Sequence, residues 1–203
     1  TPPRPRFLPS PEGGRMPGGL RDALGCRAPP PPRDDAPLDL DLPLYFSGES
    51  RVWGGGVAFL AHEPHASGAR TYARGYVITG EQFEDLVAQE SKRAHAEVDW
   101  DGLAREGRVT GGPGRYDLAL VVGERDGLPM VTFTHPSPMA ANPTAAPVVG
   151  YLHTLAEGLR DAHGLDDEAV AEYLVRHPGA SGAWTAAALL DALEAWGAGL
   201  APA

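Results

Sequence analysis

Alternating apolar and polar positions predict strands in the first two thirds of the chain. Leucine recurs at every second position from Leu38 to Leu44, a period of two that is typical of a strand. Asp126-Gly127 separates two further apolar runs and is a strong hairpin signal. The predicted strands are 38–46, 57–60, 70–78, 116–122 and 128–133.

A helix is predicted to begin at Thr79, where the apolar residues change to helical spacing. Thr79 and Gln82 form a capping box, and the apolar face at 83, 86 and 87 continues to Glu90 before the helix fades near Ala94. The polar, glycine-rich segment 98–114 is predicted to be a loop. Three apolar stripes near the end of the chain predict helices at about 152–164, 167–176 and 183–196.

The order of elements favours an α+β fold, since strands are followed by a helix, more strands and then helices. Eleven of the 21 prolines fall within the first 37 residues. Proline fixes φ and lacks an N–H group, so regular helix or central strand is excluded there. We therefore predict a proline-rich arm over 1–37, a globular domain over 38–164 and a helical extension over 165–203.

Charge and composition exclude several classes of protein. Lys and Arg number 17 against 27 Asp and Glu, a net charge of −10, which argues against nucleic-acid binding and a polybasic membrane anchor. Cys26 is the only cysteine, so neither an internal disulfide framework nor a Cys-cluster zinc site is expected. No apolar run is long enough to span a membrane and no secretory signal is visible, so we expect a cytoplasmic protein.

Glu90 is the main candidate for a catalytic residue. It occupies the i+7 position of the apolar helix face, so its carboxyl group should point into the protein. Burial raises the pKa of a carboxyl group, and a raised pKa suits a general acid/base near neutral pH. The alternative is a structural glutamate bonded to arginine or to backbone N–H groups.

Other candidates have stronger structural alternatives. The glycines at 54–56 could admit a ligand close to the backbone, but a bend between two strands explains them as well. Proline interrupts the His62–His65 segment, which argues against a metal site. Arg70 and Arg74 could bind a substrate carboxylate or simply face solvent, and Cys26 has no nearby histidine to activate it.

Three segments together resemble the γ-glutamylcyclotransferase-like superfamily. They are 50–58 (SRVWGGGVA), 83–90 (FEDLVAQE) and 123–129 (GERDGLP). The chain also resembles actinobacterial proteins labelled as histone deacetylases, although the sequence shows no Asp/His cluster typical of a zinc site.

The resemblance implies a small closed or nearly closed mixed β-barrel with flanking helices. It implies that Glu90 is the catalytic acid/base for release of 5-oxoproline from a γ-glutamyl substrate, with no cofactor and no metal. The implied substrate-binding residues are Trp53, Gly54, Gly55, Gly56 and Gln89.

The family's Tyr-Gly-Ser motif is not found in this sequence. The chain begins with Thr1, so we expect either that the motif lies upstream or that it has been lost. If it has been lost, a non-catalytic binding protein is the alternative. A protein partner could also bind the proline-rich arm, where prolines 29–32 and Arg33 could form a polyproline II ligand, or the C-terminal helices.

Overall fold

The computed structural model describes residues 32–66, 68 and 70–199, together with the backbone of 14–15 and 22–23. The strands are β1 (Gly14–Arg15), β2 (Asp22–Ala23), β3 (Asp35–Leu40), β4 (Leu44–Ser47), β5 (Val57–Leu60), β6 (Thr71–Tyr76), β7 (Arg108–Thr110), β8 (Leu118–Arg125) and β9 (Leu128–Thr134). The helices are α1 (Gly80–Glu90), α2 (Trp100–Glu106), α3 (Val149–His163), α4 (Asp167–Val175) and α5 (Ala186–Gly197), and a 3-10 helix covers Met139–Ala141.

The predicted α+β class is confirmed. The strands form small antiparallel sheets: β1 with β2, β3 with β6, β4 with β5, and β7–β8–β9 in that order. Three clusters of buried apolar side chains in the described residues support them, and one of these lies at β4 and β5, around Tyr45, Val57 and Phe59. Helices α3, α4 and α5 pack around Leu152, Val170 and Leu189, while α1 and α2 pack on the three-stranded sheet.

The single strand predicted at 38–46 was wrong, because two strands with different partners occupy that segment. β3 pairs with β6 and β4 pairs with β5, and the chain turns between them before Pro43. β3 also begins at Asp35, inside the predicted arm. Pro37 fits there because β3 has a neighbour on only one side among the described strands, where proline is tolerated.

The loop predicted at 98–114 was also wrong, because it contains α2 and β7. Asp99 caps α2 by accepting a hydrogen bond from the Gly102 N–H at 2.8 Å. Gly107 ends the helix in the left-handed conformation, with φ of 74°. Leu103 anchors this short element in the core beside α1.

Two local predictions are confirmed in detail. The Thr79 hydroxyl accepts the Gln82 N–H and the Gln82 side chain accepts the Thr79 N–H, which completes the capping box of α1. Asp126 and Gly127 both adopt positive φ in the hairpin between β8 and β9. Helix α1 ends at Glu90, earlier than predicted, and Lys92 follows with a φ of 56°.

His177, just after α4, is a buried histidine without a charge partner. Its Nε2 atom has no hydrogen-bond partner among the described residues, and its ring packs against Tyr173 with centroids 4.6 Å apart. Burial lowers the pKa of His177 to about 4, and a hydrogen bond with the Leu44 backbone only partly opposes this. The folded protein therefore holds this ring neutral at pH 7.

We predict that the free energy of unfolding falls on acidification because of His177. Its pKa falls from 6.5 to about 4 on folding, so its contribution is complete above pH 6.5 and is lost as the pH falls toward 4. The full shift corresponds to about 3 kcal/mol. Urea unfolding at pH 7.5 and pH 5 should show a smaller difference for His177→Gln than for the wild type. The exposed His95→Gln variant is the control, and an unchanged pH dependence in His177→Gln would contradict the prediction.

Candidate functional site

A cavity of about 720 Å³ lies between β5 and β6. Among the described strands, β5 pairs only with β4 and β6 only with β3, so each has an edge that no strand covers. Side chains from the helices bond to these edges instead. The Tyr151 hydroxyl accepts the Ala58 N–H at 3.0 Å, and the Tyr173 hydroxyl accepts the Tyr72 N–H at 2.9 Å. One N–H group of each edge is thereby bonded while the space between the edges stays open.

Helix α3 forms one wall of the cavity through a second face. Its core face carries Leu152, Ala156 and Leu159. A neighbouring stripe at helical spacing lines the cavity, namely Tyr151, Thr154, Leu155, Gly158 and Ala162. Gly158 and Ala162 are small, which leaves room between this helix and the strands.

Glu90 is the last residue of α1, and it lines this cavity. Its carboxylate has no hydrogen-bond or ion-pair partner in the part of the chain that the structure describes. Burial raises the pKa of Glu90, and the charge of Lys92 opposes this only in part. The predicted inward carboxyl group is therefore present, and it is desolvated without being neutralised.

Two tyrosines share the cavity with Glu90. Burial raises the pKa of Tyr151 to about 12, and the Glu90 charge contributes to this rise. Burial also raises the pKa of Tyr116 well above its usual range, with a further contribution from Glu90. Both phenols therefore keep their protons at neutral pH and can donate hydrogen bonds. Because the Tyr151 oxygen already accepts from Ala58, its own hydrogen can serve another acceptor.

A buried carboxylate, Asp117, ties the two sides of the site together. The Ser91 hydroxyl donates to Asp117 Oδ1 at 3.2 Å, the Gly114 N–H donates to Oδ2 at 2.6 Å, and Arg93 forms an ion pair with it. Ser91 directly follows Glu90, and Tyr116 directly precedes Asp117. We call these bonds the Asp117 clamp.

The structure places the glycines of the 54–56 segment away from the cavity lining. The Gly56 N–H donates to the Ala146 carbonyl at 2.9 Å, and a Cβ at Gly56 would lie 2.2 Å from the Ala145 carbonyl oxygen. Close packing against another backbone segment explains this glycine. Gly55 would meet the Ala146 oxygen in the same way, at 2.8 Å.

The other candidates for binding residues have separate positions. Trp53 lines the cavity and lies against Tyr151, with ring centroids 5.7 Å apart. Gln89 is not among the lining residues, and its Oε1 atom is buried with no partner among the described residues. Gly54 has open space around its Cα and a φ of 83°.

The two candidate arginines, Arg70 just before β6 and Arg74 within it, are neutralised by carboxylates of the protein. Arg70 forms an ion pair with Asp39, and Arg74 forms ion pairs with Asp35 and Asp161. The Glu63 carboxylate accepts backbone N–H groups, and His65 bonds to the Asp41 carbonyl. Across 32–66, 68 and 70–199, no group of three His, Cys, Asp or Glu side chains is arranged to hold a metal ion. Cys26 and prolines 29–31 of the arm lie outside the described residues.

Four residues of this site could not be recognised from the sequence alone. Tyr116 and Asp117 were predicted as the first residues of the strand 116–122. Two polar side chains directly after a glycine-rich turn are unusual for an apolar strand. Tyr151 lies beside the predicted apolar stripe of α3 and not on it. Nothing near Arg115 in the sequence indicates a role, because the Glu49 carbonyl group to which it bonds is distant in the chain.

Comparison with known proteins leaves the family open. No family model matches the chain, and no solved structure matches it. Histone deacetylase 5 of Arabidopsis thaliana is 28% identical over 192 residues, which cover 84% of this chain. The chain spans only 28% of that protein's length. No helix within the described ranges has the length and apolar character needed to cross a membrane.

We predict that Asp117→Asn lowers the free energy of unfolding by roughly 1–3 kcal/mol, the range for disrupting the hydrogen bonds of a buried polar group, because Asp117 is buried while its partner Arg93 is exposed. The amide cannot balance the Arg93 charge, and it presents a donor in place of one acceptor oxygen. Urea unfolding measures the loss. Asp126→Asn is the control, because Asp126 is exposed and asparagine tolerates its positive φ. A loss of stability no greater than in this control would show that the Asp117 clamp does not stabilise the fold.

We also predict that Glu90→Gln is more stable than the wild type at pH 8. The pKa of Glu90 is higher in the folded than in the unfolded state, so its ionisation costs stability as the pH rises through the folded pKa. Glutamine removes that cost. The difference in free energy of unfolding should vanish below about pH 4, where both forms are uncharged. Glu81→Gln, on the exposed side of the same helix, should show no such gain.

Proposed function

We propose that the protein is a γ-glutamylcyclotransferase-like enzyme that cleaves a γ-glutamyl amide and releases 5-oxoproline, with Glu90 as the general acid/base. The observation that supports this most directly is the unpaired, desolvated Glu90 carboxylate in a cavity large enough for a small substrate. A structural glutamate of this kind would be expected to have a partner.

The chemistry requires one proton to be moved. The neutral α-amine of the γ-glutamyl group attacks the γ-carbonyl carbon while Glu90 accepts one of its two protons, so that the nitrogen keeps one hydrogen in the five-membered lactam. The bond to the leaving nitrogen breaks, and Glu90 returns the proton to that nitrogen. Because the attack is intramolecular, the cavity needs only to fold the substrate and hold it near the carboxylate.

The two tyrosines suit the negative charge that develops on the γ-carbonyl oxygen. Their pKa values are raised, so both hydroxyls stay protonated and can donate to an oxyanion. Tyr151 is also fixed in place by its bond from the Ala58 N–H. We assign them as the groups that stabilise the tetrahedral intermediate.

The superfamily's barrel is the fold that we propose for the strand region. The separate sheets line one cavity from several sides, with β5, β6 and β9 all contributing residues. In this interpretation they are the walls of a barrel that is open between β5 and β6. A protein that keeps the cavity and binds γ-glutamyl compounds without turnover is the alternative.

The direct test is incubation with γ-glutamyl amino acids and γ-glutamyl amines, followed by measurement of 5-oxoproline by mass spectrometry. We expect product with the wild type and a loss of about 10²–10⁴-fold in kcat for Glu90→Gln. Glu81→Gln should keep wild-type activity. Ligand-dependent thermal stabilisation without product would favour the binding protein, and equal activity in Glu90→Gln would exclude Glu90 as the acid/base.

A further inference from the structure

We propose that a second cavity, of about 490 Å³, binds a small neutral aromatic compound that donates a hydrogen bond from an O–H or N–H group to Nε2 of His177. Residues of α4, of β6 and of the segments that precede β4 and β6 line this cavity. The proposal does not depend on Glu90 or on the cyclotransferase function. It assigns a ligand to a cavity that the proposed reaction does not use.

His177 supplies an unsatisfied hydrogen-bond acceptor at this cavity. Only 9% of the residue is exposed, and its Nε2 atom has no hydrogen-bond partner in the described part of the chain. The ring bonds to the Leu44 backbone, and this contact favours the protonated ring, so a ring N–H faces the Leu44 carbonyl group. Since Nε2 has no partner, that N–H belongs to Nδ1. A neutral ring carries only one N–H, so Nε2 presents a lone pair that a donor of the ligand can satisfy.

Aromatic and apolar side chains enclose the space beside this acceptor. The His177 ring packs edge-on against Tyr173, with centroids 4.6 Å apart, and Tyr173 stacks on Tyr72 with centroids 4.8 Å apart. Further apolar residues of the lining are Pro43, Leu44, Leu165, Ala169 and Pro178. Apolar and aromatic walls with a single convergent polar group favour a ring that carries one polar substituent.

The charged residues at this cavity favour a neutral ligand, because they already have partners within the protein. Arg70 forms an ion pair with Asp39, and Arg176 forms an ion pair with Glu172. The two arginines and Glu172 belong to the lining, and all three are exposed. A charged ligand would have to compete with these partners, whereas a neutral ring needs none of them.

Two alanines distinguish this cavity from the larger one that contains Glu90. Leu44, Tyr72 and Tyr173 line both cavities, so they form the wall between the two spaces. Ala169 on α4 lines only the smaller cavity, and Ala162 on α3 lines only the larger one. Leucine at either position fills one space and leaves the other open, which gives a matched pair of variants.

The test uses phenol and toluene, which have the same size and differ by an O–H group in place of a methyl group. Titration followed by NMR at pH 7.5, where His177 is neutral, measures the affinity of the full chain for each compound. We expect His177→Phe to lower the ratio of phenol affinity to toluene affinity by about tenfold, because one hydrogen bond is lost. Ala169→Leu should weaken binding of both compounds, and Ala162→Leu should leave the binding of both unchanged.

The ¹⁵N resonance of His177 Nε2 reports the same hydrogen bond in the wild type, without any variant. Phenol should move this resonance upfield, toward that of a protonated ring nitrogen, and toluene should not. An unmoved resonance with phenol at saturation, or an equal affinity ratio in the wild type and a folded His177→Phe, would overturn the proposal. Absence of phenol binding would also overturn it, as would phenol binding that survives Ala169→Leu and is lost in Ala162→Leu.

Discussion

The Asp117 clamp is the interaction on which the geometry of the cavity depends. The clamp joins the end of α1 to the start of β8, two elements that are separated by α2 and β7 in the chain. Glu90 and Tyr116 are the immediate neighbours of clamp residues, so their backbone positions are fixed relative to each other. A desolvated carboxylate such as Glu90 is unfavourable in a protein, and it persists only where the surrounding frame is strong enough to hold it. Asp117 supplies that frame with charge-assisted bonds of its own.

Hydroxyl groups take the place of a strand beside the cavity. An uncovered sheet edge normally leaves N–H groups that require water or another strand. Here Tyr151 and Tyr173 reach from α3 and α4 to the N–H groups of β5 and β6. The Thr134 hydroxyl does the same for the Leu60 N–H at 3.0 Å. These hydroxyl groups satisfy three edge N–H groups of β5 and β6 while the strands stand apart, and the space between the strands forms the cavity.

Local signals in the sequence were enough to predict much of the fold. The α1 capping box, the β8–β9 hairpin and the stop of α3 at Gly164 all depend on a few adjacent residues. The inward direction of Glu90 also followed from spacing within one helix. The failures at 38–46 and 98–114 arose because the choice of strand partner and the packing of Leu103 are set by distant residues. For the same reason the clamp could not be predicted, since Asp117 meets Ser91 and Arg93 only in the folded chain.

The two kinds of charge at the cavity have different physical roles. Glu90 is partly buried, so its pKa is raised and it holds a proton more tightly than an exposed glutamate does. Arg51 and Arg115 line the same cavity but are exposed, so water and salt weaken their interactions with any charge. Burial on one side and exposure on the other therefore give the charges of one cavity different electrostatic strength.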